Sequence, residues 1–399
     1  MKPRALFLVP GDYDAYKHKG VDRMIQARDE GGFFERAVTV HPLAQAQRII
    51  DLDAVHRIYE FPLGRVLHDG VLARAVAPVQ LLATIRAVTH LARAELIDLV
   101  RAHDPYLMGL IGWRVARALA VPFCISLHTD YEQSFRLSPK TGFPRLLRRL
   151  GAVLPPLVMP HADLVMPISA HLMATMQGAA SRGSAVRVIP HGIDMTPFTR
   201  PPVADTRSLF DIPPDAPVIS WVSRMSGENY THDVAAIVAS VARQRPGVVF
   251  VLAGDGIYKN WLSHRLLDEE RLGASVRILP FQSYDRVIAL RRASTVSLCL
   301  IGGFSLIEAC AAGTAIVGYD VDWHREIVAD GVTGFLVKEH DVDAAAAAIQ
   351  RLVDDPVLAA RMGQEAQRVA FARHDVHITS AIKQACYAEL LGRRHRLAS

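Results

Sequence analysis

The chain has 399 residues, 50% hydrophobic, 21% charged and 7% aromatic, a globular balance too long for one core and suited to two domains. Its formal net charge of +5 suits anionic ligands or a membrane surface, but no basic block interleaved with aromatics marks a nucleic-acid-binding protein. Cys124, Cys299, Cys310 and Cys386 have no CxxC or metal-ligand spacing, so reduced thiols in a cytoplasmic protein are expected.

The short apolar run that ends at Pro10-Gly11 reads as a first strand, Ala5–Val9, and not as a signal peptide. No run approaches the roughly 18 uninterrupted apolar residues of a membrane span. Ala37–Val40 is a second strand. The Ala-, Leu- and Arg-rich stretch Asp69–His103 has helical spacing and predicts two helices broken near Pro78. An apolar run, Tyr106–Ile111, leads to a short helix at Arg114–Ala120. Pro122–Leu127, Leu164–Ile168 and Val186–Pro190 are further strands. Buried strands alternating with helices argue for a parallel sheet covered on both faces.

The proline-rich stretch Pro197–Pro217 reads as an inter-domain linker or entry loop. The alternation then restarts. Strands are expected at Val218–Val222, Val248–Ala253, Val276–Leu279, Thr295–Leu298 and Ala315–Tyr319. Helices are expected at Asp233–Arg243, Trp261–Glu269, Val342–Val353, Pro356–Phe371 and Val376–Leu391. Two doubly wound α/β domains follow, each binding ligands at the carboxyl ends of its strands and sharing a cleft.

The richest segment is Gly302–Val337. A glycine pair, Gly302-Gly303, leads to Glu308 at the start of a helix, and a small-residue turn then feeds a buried strand. Glycines let a backbone approach an anion, helix-start N–H groups point at it, and a carboxylate can accept two sugar hydroxyls. The pattern suggests a nucleotide-sugar site. Asp320-Val321-Asp322 has the letters of a DxD metal motif but reads as structural or ligand-adjacent, and no metal site is expected.

Six stretches in order carry a family resemblance. Val188-Ile189-Pro190-His191-Gly192-Ile193-Asp194 resembles "IPNGVD", and Trp221-Val222-Ser223-Arg224-Met225 resembles "VGRL". Leu252-Ala253-Gly254-Asp255-Gly256 resembles "IxGxGP", and Pro280-Phe281 resembles "LGF". Ser305–Thr314 resembles "LLEAMACGTPV", and Glu326–Gly334 resembles "PEIVxDGxTG". Together they resemble retaining glycosyltransferases of family 4, glycosyl transferases group 1, which have the GT-B fold of two facing Rossmann-like domains with a cleft between them. The resemblance is clear over about residues 186–340 and architectural elsewhere.

What the resemblance implies is specific. The domains would be 1–195 for the acceptor, 196–375 for the nucleotide-sugar, and a helix, 376–399, returning to the first domain. The activity would be a metal-independent hexosyltransferase of class EC 2.4. It would need no cofactor beyond a nucleotide-sugar co-substrate, UDP- or GDP-linked ahead of ADP-linked. Cell-surface polysaccharide, glycolipid and natural-product glycoside synthesis are the candidate settings, with an unknown acceptor, lipid-linked ones among the candidates, and no nucleic acid.

Arg224 would neutralise the diphosphate, and His128, at a strand end of the first domain, would stand near the donor sugar. Glu308 would hold the ribose. The loop and helix start at Gly302, Gly303, Phe304, Ser305 and Leu306 would offer amides to the diphosphate, and Gly254 would turn the chain beneath the nucleotide. On the acceptor side Gly11, Lys17 and Lys19 are candidates. The basic amphipathic segment 137–157 would suit peripheral contact with the inner face of a membrane.

Two positions depart from the pattern. Asn229 stands where the family has a lysine after the arginine, and Leu300 stands eight positions before Glu308, where the family has its first glutamate. Lys259 and Arg325 are candidates to replace the missing cation. The same departures motivate the alternative of a catalytically silent relative acting as a nucleotide-binding or partner subunit.

Overall fold

The computed structural model describes residues 2–18, 23–63, 71–128, 153–175, 184–201 and 206–398. These fall into two compact units. The first holds the described residues up to His128, those from 153 to Pro190, and the chain from Ser380 onward; the second is His191–Thr379.

Among the described residues, the first unit is built on an eight-stranded sheet. Its strands are β1 (Arg4–Leu8), β2 (Arg36–His41), β3 (Leu43–Asp51), β4 (His56–Pro62), β5 (Leu99–Ala102), β6 (Phe123–Leu127), β7 (Leu164–Pro167) and β8 (Ala185–Val186). The order is β3-β4-β2-β1-β5-β6-β7-β8, and only β3 runs antiparallel, against β4. Side chains alternate across β1. Leu6 and Leu8 join one core with Val88, Met108 and Val115, whereas Ala5, Phe7 and Val9 join another with Tyr387 and Leu390. The C-terminal helix Val376–Ala398 therefore supplies one wall of this unit.

A buried polar network fastens that helix. Arg101 donates through Nη1 to Glu30 Oε1 (3.1 Å) and to the Tyr387 hydroxyl (2.8 Å), and through Nε to Ser126 Oγ (2.7 Å). Ser380 Oγ and Lys383 Nζ each donate to Glu30 Oε2 at 3.0 Å. Glu30 is 2% exposed and Arg101 6%, so each charge depends on the other for compensation.

The second unit holds a parallel sheet of β9 (Val218–Val222), β10 (Val249–Ala253), β11 (Val276–Leu279), β12 (Val296–Leu298), β13 (Ala315–Tyr319) and β14 (Gly334–Val337), in the order β11-β10-β9-β12-β13-β14. Both faces are covered. Ile219, Trp221, Val317 and Tyr319 pack with the helices Thr231–Gln244 and Val342–Asp354. Ile316 packs on the other face with the helices Phe304–Ala311 and Pro356–His374.

Four expectations need correction. The 69–103 region is not two helices broken near Pro78. One helix, Val71–Ala94, carries Pro78 inside it, and its later part is strand β5, whose four residues are all buried. Tyr106–Ile111 and Arg114–Ala120 belong to a single helix, Leu107–Leu119. The 261–269 helix becomes a π-helix from His264 to Glu269. The proline-rich stretch is no loose linker, because Phe210, Ile212 and Ala216 are buried against Val218, Val249 and Leu290 of the second unit.

Among the described residues, no helix is long and apolar enough to cross a membrane. Most of the basic segment 137–157 lies outside the described residues; of the rest, Val153 and Leu157 are exposed. Glu30→Ala should cost about 3–5 kcal/mol, because Arg101 and Lys383 lose their buried counter-charge. Chemical denaturation measures the loss, and faster amide exchange in 380–390 would locate it in the C-terminal helix.

Candidate active site

All six strands of the second sheet are parallel, so their carboxyl ends lie along one edge. β9 is central, flanked by β10 and β12. The loops that follow these three strands carry Arg224, Gly254 and the Gly302–Glu308 segment respectively.

The loop after β9 is pinned on both sides. Met225 N donates to Asp255 O (2.9 Å), and Tyr258 N donates to Met225 O (3.0 Å). Met225 is fully buried, while the neighbouring Arg224 side chain is 58% exposed, so its guanidinium reaches solvent from a fixed base. The nearest acid the structure gives it is Glu228, at 3.9 Å, and so exposed a pair contributes little.

Glycine is required in the loop after β10. Gly254 has φ +150°, and a Cβ there would lie 1.9 Å from the Ser223 carbonyl oxygen. At Gly256, φ +154°, a Cβ would lie 2.3 Å from the Met225 carbonyl. The two loops touch backbone to backbone, and a side chain would push them apart.

After β12 the chain needs only five residues, 299–303, to reach the helix Phe304–Ala311. Gly303 caps it at φ +130°, outside the range of residues with a Cβ. A Cβ on Gly302 would stand 3.1 Å from the Trp323 ring. The first-turn amides have no partner within a helix, so they suit an anion. Of the side chains expected near a ligand, Leu306 is fully buried and Phe304 packs against the His191 ring at 4.6 Å. Ser305 Oγ donates to the Val222 carbonyl (2.6 Å). Only the backbone of 304–306 is suited to phosphate.

Glu308 lies one turn further on, with its side chain 12% exposed. The sequence reading missed its neighbour. Arg291, in the helix Tyr284–Arg292, is 1% exposed, donates to Ser305 Oγ at 2.7 Å and stands 3.8 Å from Glu308 Oε2. The signal was present: Arg291 falls four residues after Val287 and three after Ile288, on a face whose other members are buried.

The two departures have structural counterparts. Leu300 is 1% exposed and packs in the core with Trp221, Leu298 and Val317. Asn229 Nδ2 donates to Ser226 Oγ (2.8 Å) and so closes its own turn. Neither proposed substitute cation stands alone. Lys259 pairs with Asp255 at 3.4 Å, and Arg325 pairs with Asp320. That hydrogen-bonded guanidinium also holds the Asp320 carboxyl below its ordinary range. Among the described residues, no group of three or more His, Cys, Asp or Glu could hold a metal ion.

The remaining candidates are in the first unit. His128 follows β6 and packs on the His103 ring at 4.8 Å. Burial first, and then His128 itself, pushes His103 well below the ordinary histidine range. Gly11 follows β1 at φ +87°, and Lys17 is exposed over the Tyr13 ring at 5.2 Å. Lys19 lies outside the described residues.

A central parallel strand with an arginine loop, a glycine-tight loop and an amide-led helix at its carboxyl end defines a nucleotide-binding α/β unit of the doubly wound class. The comparisons name the family. "Glycosyltransferase Family 4" matches residues 33–196, and "Glycosyl transferases group 1" matches 205–369. The chain belongs to glycosyltransferase family 4, has the GT-B fold, and is a nucleotide-sugar-dependent glycosyltransferase.

The 2-deoxystreptamine N-acetyl-D-glucosaminyltransferase of Streptomyces fradiae is 28% identical over 75% of this chain and 72% of its own. A D-inositol 3-phosphate glycosyltransferase of Thermobispora bispora is 26% identical over 92% of each. Among solved structures, sucrose-phosphate synthase from Thermosynechococcus elongatus superposes with a TM-score of 0.75 at 19% identity, covering 98% of this chain and 100% of that one. Anabaena HepE in complex with UDP-glucose gives 0.70 at 20% identity, covering 97% and 99%.

Gly254→Ala should destabilise the second unit by on the order of 3 kcal/mol, since both the dihedral angle and the contact with Ser223 exclude a Cβ. A lowered denaturation midpoint checks it, and an unchanged midpoint would show that the loops can separate without cost.

Proposed function

We propose that the protein transfers a sugar from a UDP- or GDP-linked donor to an acceptor hydroxyl with retention at the anomeric carbon, without a metal ion. The observation that carries this reading is the shared edge of the second sheet, where Arg224, the Gly302–Gly303 amides and Glu308 follow adjacent strands. Arg224 supplies a cation for the charge that grows on the leaving diphosphate, and the amides add fixed dipoles. Glu308 accepts the ribose hydroxyls. No side chain is required as a nucleophile: the leaving phosphate takes the acceptor proton as the new bond forms on the same face. His128 stands near the donor sugar in this reading, and Gly11 with Lys17 belongs to the acceptor side.

UDP is the first donor nucleotide to test, because HepE was solved in complex with UDP-glucose. The relatives are named for 2-deoxystreptamine and D-inositol 3-phosphate, which makes both compounds rational acceptors for a first panel. A lipid-linked acceptor at a membrane surface is the other acceptor class proposed.

The silent-relative reading rests on Leu300, which is core, and Asn229, which serves its own turn. Calorimetry and slow hydrolysis with UDP-, GDP- and ADP-sugars separate the two. Binding with hydrolysis or transfer supports the enzyme, binding without turnover under any acceptor supports the silent relative, and binding of none sinks the enzyme reading. Arg224→Ala should lower kcat by about 100- to 1,000-fold with a smaller change in donor Kd, as expected for a lost transition-state charge contact. Glu308→Gln should weaken nucleotide binding by about 1–3 kcal/mol.

A further inference from the structure

Arg291 has no evident reason to be buried. A cation near a helix C-terminus is favourable, but that benefit is available at the surface, where the adjacent Arg292 donates to the Arg200 carbonyl. Arg291 instead points inward at 1% exposure. Desolvating a guanidinium costs several kcal/mol unless an anion and good hydrogen bonds offset it. The acid the structure gives it is Glu308, at 3.8 Å. It hydrogen-bonds Ser305 Oγ, whose own hydrogen goes to the carbonyl of Val222, the last residue of β9, and also reaches the Cys299 thiol, while its Nε has no partner.

We propose that Arg291 is a positioning residue for nucleotide recognition: it fixes the Glu308 carboxylate toward the ribose and ties the first turn of the 304–311 helix to the end of β9. The proposal rests on the reading of Glu308 as the ribose ligand. One nitrogen, Nη2, makes both contacts, so the carboxylate and the helix start are set by a single group. A carboxylate paired at 3.8 Å with a buried cation has less freedom to swing than an exposed glutamate. It presents its remaining acceptor capacity in one orientation as the ligand arrives. The pairing also makes Glu308 structural, because its removal leaves a buried cation without its anion. Loss of binding on deleting Glu308 therefore does not by itself identify a ribose ligand. Ribose discrimination does.

The test compares UDP with 2′-deoxy-UDP by calorimetry, on the full chain, for wild type, Glu308→Gln, Arg291→Met and the double variant. Wild type should prefer UDP by about tenfold or more, the range for a hydrogen bond to a charged group. Glu308→Gln and Arg291→Met should each bring that preference near unity, and the double variant should lose no more than either single one. A purely structural Arg291 would weaken both ligands equally and leave the ratio intact, which would overturn the proposal. If Arg291→Met does not fold, Arg291→Lys, which keeps the charge but not the planar fork, should reduce the preference by a smaller factor; an unchanged ratio there is equally fatal. Failure of the functional reading looks different: wild type would bind neither nucleotide, or Glu308→Gln would leave the preference untouched. Either result removes the proposal along with the reading.

Discussion

The carboxyl end of β9 is the point on which the second unit's edge depends. The Val222 carbonyl takes the hydrogen of Ser305, the Ser223 carbonyl is met by Gly254, and the Met225 carbonyl accepts from Tyr258 and is met by Gly256. The loop after β10 and the helix start after β12 are thus both referenced to one short stretch of backbone. The parallel sheet puts these loops side by side; the carbonyls fix how close they come. Two of the three approaches exist only because a Cβ is missing.

This explains why the parts with a large tolerance and the parts with none sit so close together. Arg224 is exposed and lightly paired, so its side chain can follow a ligand, yet its backbone is locked by the buried Met225 beside it. A flexible cation on a rigid base suits a diphosphate, whose charge is spread over several oxygens. The glycine-led start of the Phe304–Ala311 helix adds donors that cannot move at all, which is the arrangement that gains most from low reorganisation.

The sequence made the second unit legible because its determinants are local. Gly254, Gly256 and Gly303 are conformational requirements written in single letters, and buried strands such as Val249–Ala253 are continuous apolar runs. The first unit was harder. β3 is an edge strand with Ala44 alone fully buried and Ile49 exposed, so it lacks the alternation that marks a strand. β5 hides after a helix because its four buried residues include Arg101, and a charged letter inside a helical-looking stretch argues against a buried strand until its partners Glu30 and Tyr387 are known. Those partners lie 71 and 286 residues away. Arg291's burial was written in its own helix, but its role was missed for the same reason, since that depends on Ser305 and Glu308.

Arg101 and Arg291 also bear on the missing family groups. Both units bury an arginine beside a glutamate and a hydroxyl: Arg101 bonds Glu30, Tyr387 and Ser126, whereas Arg291 bonds Ser305 and pairs with Glu308 at 3.8 Å but leaves its buried Nε without a partner. Leu300 is 1% exposed within an apolar cluster that includes Trp221, Leu298 and Val317, so a carboxylate there would be desolvated. Restoring a glutamate at 300 would therefore damage the core before it could serve a sugar. Under the proposed function, the front edge of the donor has to be recognised from other positions, and the ribose end, where Arg291 holds Glu308, becomes the more closely specified half of the site.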